Sequence, residues 1–254
     1  VTVSGPSCDL HSGIFGGAVA NPATELARLL AQLHDTEGRI QIDGFYDAVQ
    51  PLESWEREAW AALPLDDAEL LRLTGSPALH GETGYSSLER LWARPTAEIN
   101  GLGGGYQGEG SKTVLPSQAF AKLSFRLVPD QNPDDLLPRI DAWLRARTPS
   151  TVRIAIRRGH SGQPYAMDPH SRFGKAAQAA LRDTFDGRDP ALIREGGSIP
   201  IVRSFKDILG ADTLLLGLAL PDCNAHAPNE NFPLANFDAG QRLNRLLLEH
   251  LATA

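Results

Sequence analysis

Two strand-like stretches of this sequence cannot sit in the same kind of sheet. In the stretch from Ala119 to Leu127, Ala121, Leu123, Phe125 and Leu127 alternate with Lys122, Ser124 and Arg126. Successive strand side chains point to opposite faces, so this pattern buries one face and wets the other, the habit of an antiparallel sheet. "TLLLGLAL" (213–220) carries no charge and no alternation. It reads as a strand buried on both faces, which needs a parallel or mixed sheet covered by helices. The two stretches therefore predict two separate architectures along one chain.

The neighbouring patterns agree with each. Before residue 160, Val1–Val3 and "TVRIAIRRG" (151–159) alternate, and "TAEINGL" (96–102) reads as a further strand. "NPATELARLLAQLHD" (21–35) is a helix with Asn21 as N-cap, Pro22 at its first position and a stripe of Leu26, Leu29, Leu30 and Leu33. "NPDDLLPRIDAWLRAR" (132–147) is a second helix, capped by Asn132 and acidic in its first turn. A shorter helix is expected within 63–75, and "GGGYQGEGSK" (103–112) reads as a flexible glycine loop. This half is a small sheet with helices on one face. After residue 160 the order becomes helix (170–185), strand (191–193), helix (198–209), strand (213–220), helix (236–252), the rhythm of an α/β sheet. The boundary falls near Ser161–Pro164, giving domains over 1–162 and 163–254.

Composition narrows the function. A net charge of −7 argues against a nucleic-acid partner, which calls for a basic face. No apolar run reaches membrane-spanning length. Cys8 and Cys223 stand alone, without the spacing of a disulfide framework or a CxxC metal site, and are read as reduced thiols of a cytoplasmic protein. The chain opens on "VTVSG" without an initiating Met and is read as a piece of a longer or processed protein.

Sites in open α/β sheets form beyond the carboxyl ends of strands, and two loops here leave such ends. In "REGGSIP" (194–200), Gly196 and Gly197 permit a tight turn and Ser198 starts a helix whose free amides suit an anion. An ordinary serine cap explains the same residues. In "PDCNAHAPNE" (221–230), His226 has the chemistry of a metal ligand, yet a lone loop histidine is more often a surface residue. His11 in "DLHSG", Thr113 in "SKTVLP" and Arg126 on a polar strand face have equally plain explanations. Arg126 is the one with the fork geometry to clamp a carboxylate.

Taken together, "DLHSGIFGG", "GEGSKTVLPSQAFAKLSFRLVP", "REGGSIP" and "NAHAPNE" resemble, in that order, blocks of the M20 metallopeptidases, nearest the carnosinase-like cytosolic dipeptidases. The resemblance implies an inserted α+β lid domain that also dimerises, followed by the C-terminal part of a mixed-sheet, zinc-peptidase-like catalytic domain. It implies that His226 is a metal ligand and that His11 reaches a neighbouring subunit's site to stabilise the oxyanion. Thr113, Arg126, Gly197 and Ser198 would bind substrate. It implies two divalent ions, zinc first and manganese as the alternative, and hydrolysis of a dipeptide or other small amide by a homodimer. The family's other metal ligands and its general-base glutamate precede the lid and are absent from these 254 residues, so the chain alone is expected to be inactive. A non-catalytic dimerisation module and a deacylase of N-acyl amino acids are the competing readings.

Overall fold

The computed structural model describes residues 1–196 and 199–254. Along the first half the elements are β1 (Thr2–Ser4), β2 (Leu10–His11), α1 (Ser12–Phe15), α2 (Pro22–Leu30), α3 (Ser54–Ala61), α4 (Asp67–Thr74), α5 (Ser87–Ala93), β3 (Thr96–Gly104) and β4 (Val114–Leu115). Then follow β5 (Gln118–Arg126), α6 (Pro133–Arg147), β6 (Arg153–Ala155), α7 (Arg172–Thr184), α8 (Pro200–Leu209) and α9 (Leu234–Thr253). They form two units: Val1–Gln50 with His80–Pro164, and Pro51–Leu79 with Tyr165–Ala254.

In the first unit the one-sided strand is β5. It pairs antiparallel with β1 and β3, and β1 pairs antiparallel with β6, giving the order β3-β5-β1-β6. The inward residues are those the alternation picks out: Ala119 and Ala121 are buried and join Val3 in a core with Leu26, Leu29 and Leu30 of α2 and Leu136, Ile140, Trp143 and Leu144 of α6. Phe120, Lys122 and Arg126, on the other face of β5, are exposed. Both helices begin where their caps predict. The Asn21 and Asn132 side chains accept from the amides of Ala23 and Asp134, with proline at the helix start. The helix α2 ends at Leu30, but Leu33 beyond it still packs into the core at 1% exposure.

The glycine loop expected over 103–112 begins later than the composition suggests, because β3 continues through Gly104 opposite Ala119. A Cβ on Gly103 would sit 2.6 Å from the Phe120 ring, and one on Gly104 would sit 2.6 Å from the Ala119 methyl. These glycines are demanded by close strand pairing rather than by flexibility.

The second unit departs from expectation. α7, α8 and α9 are present near their predicted positions, and α7 packs on α9 around Ala176, Ala177, Ala180, Ala239 and Leu243. Residues 191–193 and 213–220, however, belong to no strand. A strand is defined by a ladder partner, and neither stretch has one among the described residues. Nor is 213–220 buried on both faces: Leu215 is 57% exposed, while the Leu218 carbonyl accepts from Asn236 Nδ2 of α9 at 2.6 Å. The short helix α3, not anticipated, carries a Glu53/Glu56 capping box and buries Trp60. No described helix is long and apolar enough to cross a membrane.

Candidate functional site

His11 and Thr113 lie 102 positions apart in sequence and meet in space. β2 and β4 pair antiparallel, with His11 opposite Val114 and Leu10 opposite the buried Leu115. The Ser12 amide donates to the Thr113 carbonyl at 3.1 Å, continuing that pairing by one rung. Below it, the Ser117 amide donates to Asp9 Oδ1 at 2.8 Å, and this bond, with a second from the Ser117 hydroxyl, holds the Asp9 carboxyl below its ordinary pKa. The two loops are thus stitched on both sides of the histidine. The imidazole Nε2 then stands 3.3 Å from Thr113 Oγ1.

The chain turns sharply at this point. His11 is extended, with φ −72° and ψ 120°, and its own Nδ1 caps α1 by accepting from the Gly13 amide at 3.0 Å. A Cβ on Gly13 would stand 3.1 Å from His11 Cε1, so glycine is what lets the ring fold back over the helix start. Ile14 and Phe15, the next residues, project from the surface at 71% and 40% exposure. Asp9 and Gly13 went unrecognised as supports in the sequence. The H-x-G spacing, which puts a ring acceptor two residues before a side-chain-free amide, was the available signal.

Arg126 is in the same unit but not in this cluster. It ends β5, opposite Thr96, eight residues along the strand from Gln118, a run of roughly 26 Å at strand rise. Its side chain is exposed and has no ion-pair partner among the described residues.

In the second unit, Gly197 and Ser198 lie outside the described residues. The approach to them is anchored by α3. Arg194 pairs with Glu56, whose carboxylate is 5% exposed, and the Trp60 indole donates to the Leu192 carbonyl at 3.0 Å. The Arg194 charge is therefore neutralised locally. His226 is exposed, in a loop closed by Asn231 N–H to the Cys223 carbonyl at 2.9 Å. It adopts φ 63°, as Asn224 does at 53° and Asn229 at 64°. A left-handed histidine costs free energy, on the order of 1–3 kcal/mol, and such strain concentrates at functional positions. Among the described residues no group of three His, Cys, Asp or Glu side chains is placed to hold a metal ion. One exposed imidazole does not make a metal centre, which needs three or four protein ligands per ion.

The His–Thr pair is thus carried by a two-stranded ribbon, β2–β4, separate from the four-stranded sheet. Residues 2–152 match the peptidase dimerisation domain of M20 peptidases. The chain belongs to that family. Outside the matched dimerisation domain the likeness continues. The Cys-Gly metallodipeptidase DUG1 of Saccharomyces cerevisiae is 35% identical over 253 residues, 98% of this chain and 52% of its own length. The Beta-Ala-His dipeptidase of Homo sapiens is 31% identical over 238 residues, 92% of this chain and 47% of its own. Among solved structures, the di-peptidase Dug1p of S. cerevisiae superposes with a TM-score of 0.81 at 34% identity, and human carnosine dipeptidase 1 with 0.81 at 29%. Both cover 100% of this chain, which covers 53% and 54% of theirs. The M20 chain described here thus spans about half the length of the curated relatives it matches.

Proposed function

We propose that this chain is the lid and dimerisation domain, with the C-terminal part of the catalytic domain, of an M20 metallopeptidase that hydrolyses the amide bond of dipeptides or short peptides. The observation that carries the reading is the match of residues 2–152 to the M20 dimerisation domain. Relatives named as a Cys-Gly metallodipeptidase and a Beta-Ala-His dipeptidase match nearly the whole chain. In this reading residues 1–162 form the lid and residues 163–254 the catalytic part, and two protomers associate through the lid in the cytoplasm. His11 faces the carbonyl oxygen of the scissile amide in the neighbouring subunit's site, where a fixed donor stabilises developing negative charge. The projecting Ile14 and Phe15 beside it are suited to being covered by another surface. Thr113, Arg126, Gly197 and Ser198 hold the substrate, with the guanidinium taking its carboxylate. His226 contributes a ligand to a divalent metal, zinc or manganese.

Among the described residues no three His, Cys, Asp or Glu side chains come together to hold a metal ion, so in this reading His226 is joined by ligands from the part the relatives have beyond this match. The test uses a polypeptide of the relatives' full length containing this chain, loaded with Zn²⁺ or Mn²⁺ and assayed on dipeptides. Metal-dependent hydrolysis that falls at least about a hundredfold in His226→Ala is the expected result. Unchanged turnover in that variant removes the metal role. Turnover of N-acyl amino acids in place of dipeptides redirects the reading to a deacylase, and a stable dimer that hydrolyses neither leaves a dimerisation module.

A further inference from the structure

Glu56 and Trp60 stand one turn apart on α3, at i and i+4, and so project from the same face of the helix. Over four residues a helix rises about 6 Å. Leu192 and Arg194 stand two residues apart in a stretch that belongs to no strand; extended chain advances about 6.6 Å over that distance. The two spacings match, and the contacts use the match. Trp60 Nε1 donates to the Leu192 carbonyl at 3.0 Å, and Arg194 Nη2 pairs with Glu56 Oε1 at 2.5 Å. Ile193, between them, is exposed. Glu56 also ties this grip to the helix itself. Its other oxygen, Oε2, accepts from the Glu53 amide at 3.2 Å, at the start of α3. One carboxylate, 5% exposed, thus serves the helix start with one oxygen and Arg194 with the other. A buried carboxylate left without its cation is costly, so Arg194 does not swing out to solvent without penalty. Its guanidinium carbon also lies 5.9 Å from the centroid of the buried Trp60 ring.

We propose that Glu56 and Trp60 are positioning residues: α3 grips the chain at two points, 192 and 194, and so fixes where the backbone from Glu195 onward meets a ligand. Arg194 supplies position here rather than charge, because Glu56 already neutralises it. Neither Glu56 nor Trp60 touches the reacting atoms in this scheme. Both act through the backbone they hold, so their loss falls on binding before it falls on chemistry. That the ligand is a substrate held by Gly197 and Ser198 rests on the function proposed above; the grip does not.

Limited trypsin digestion reads the grip in the chain as it stands. Trypsin needs the arginine side chain free to enter its own pocket. The bond between Arg194 and Glu195 is therefore expected to be cut at least about tenfold more slowly than that between the exposed Arg158 and Gly159. In Glu56→Gln and in Trp60→Phe the cut at 194 should quicken about tenfold while the cut at 158 stays the same. A cut at 194 as fast as that at 158 in the unaltered chain, or unmoved in both variants, overturns the grip. Should Glu56→Gln fail to fold, Trp60→Phe decides, since it removes the donor to Leu192 and keeps an aromatic ring. In a polypeptide of the relatives' full length, the same variants are expected to raise KM for a dipeptide about fivefold to tenfold, more than they lower kcat. A merely structural loss lowers the active fraction, so that kcat falls and KM stays; that result overturns the positioning role. If the unaltered full-length polypeptide turns over no dipeptide while the trypsin pattern holds, the dipeptidase reading fails, and with it the assignment of the ligand, while the grip stands.

Discussion

At the scale of single residues, three arginines of the first unit converge on Glu82. Glu82 is 8% exposed, and its carboxylate takes Arg94 Nε at 2.7 Å and Nη2 at 2.8 Å, then Arg39 Nη1 at 3.1 Å. Its carbonyl accepts from Arg90 Nε at 2.9 Å. Arg94 also lies 4.4 Å from the Tyr85 ring centroid and 4.9 Å from that of Tyr46, and burial pushes the Tyr46 phenol above its ordinary pKa. The Arg94 side chain is 9% exposed and that of Arg39 48%, and this difference decides the outcome of mutation. Glu82→Ala strands the buried guanidinium of Arg94 and is expected to destabilise the unit by about 3–5 kcal/mol. Arg39→Ala removes an exposed partner and is expected to cost about 1 kcal/mol or less. Urea unfolding followed on amide signals of β3 and β5 measures both; equal losses would refute the ranking. None of this was legible in sequence, because Glu82 and Arg94 are recognisable as partners only once the loop before α5 has folded. His11 and Thr113 were legible only as members of a family pattern, since nothing local to either predicts a contact across 102 positions.

At the scale of elements, legibility followed how much of an element's cause lies within it. α6 was readable from Asn132 to Arg147 because its cap, its acidic first turn and its apolar positions are all local. The short helices α1 and α5 were not anticipated. The four residues of α1 lean on a histidine cap rather than a Ser, Thr, Asp or Asn, and α5 is a seven-residue helix whose Ser86/Glu89 capping box was the overlooked signal. α6 also contains a local contradiction. Pro138 sits inside the helix, exposed, where its ring cannot donate to the Asp134 carbonyl. Interior proline disfavours a helix by about 3 kcal/mol relative to alanine, against which the stiffer unfolded chain returns about 1 kcal/mol. Pro138→Ala is therefore expected to stabilise the first unit by about 1–2 kcal/mol, read as a higher urea midpoint with unchanged slope. A lower midpoint would mean that Pro138 is itself required by the packing of Leu136 and Ile140.

At the scale of the whole molecule, the chain divides differently from the 1–162 and 163–254 expected from sequence. The change in strand pattern placed a break near Ser161–Pro164, and the two units part at Pro164 and Tyr165. That Pro51–Leu79 joins the second unit was invisible, because the Trp60–Leu192 and Glu56–Arg194 contacts span more than a hundred positions. The stretch at 213–220 shows what a sequence pattern can report beyond the structure that contains it. Leu214, Leu216 and Leu218 are half-buried, and a Cβ on Gly240 of α9 would come within 2.8 Å of Leu218 Cδ1, so one face is closely packed. On the other face Leu215 is 57% exposed. This apolar run reads as two-sided, is covered on one side and has no ladder partner among the described residues, so it has room for a second layer. The relatives' additional length is where we expect both to be. In a polypeptide of that full length, the amides of 214–219 should exchange at least about a hundredfold more slowly than in this chain alone, and binding of a hydrophobic dye should fall as Leu215 and Leu220 are covered. Equal exchange in the two polypeptides would mean that 213–220 is an edge with no partner strand, and the assignment of residues 163–254 to a catalytic sheet would fail with it.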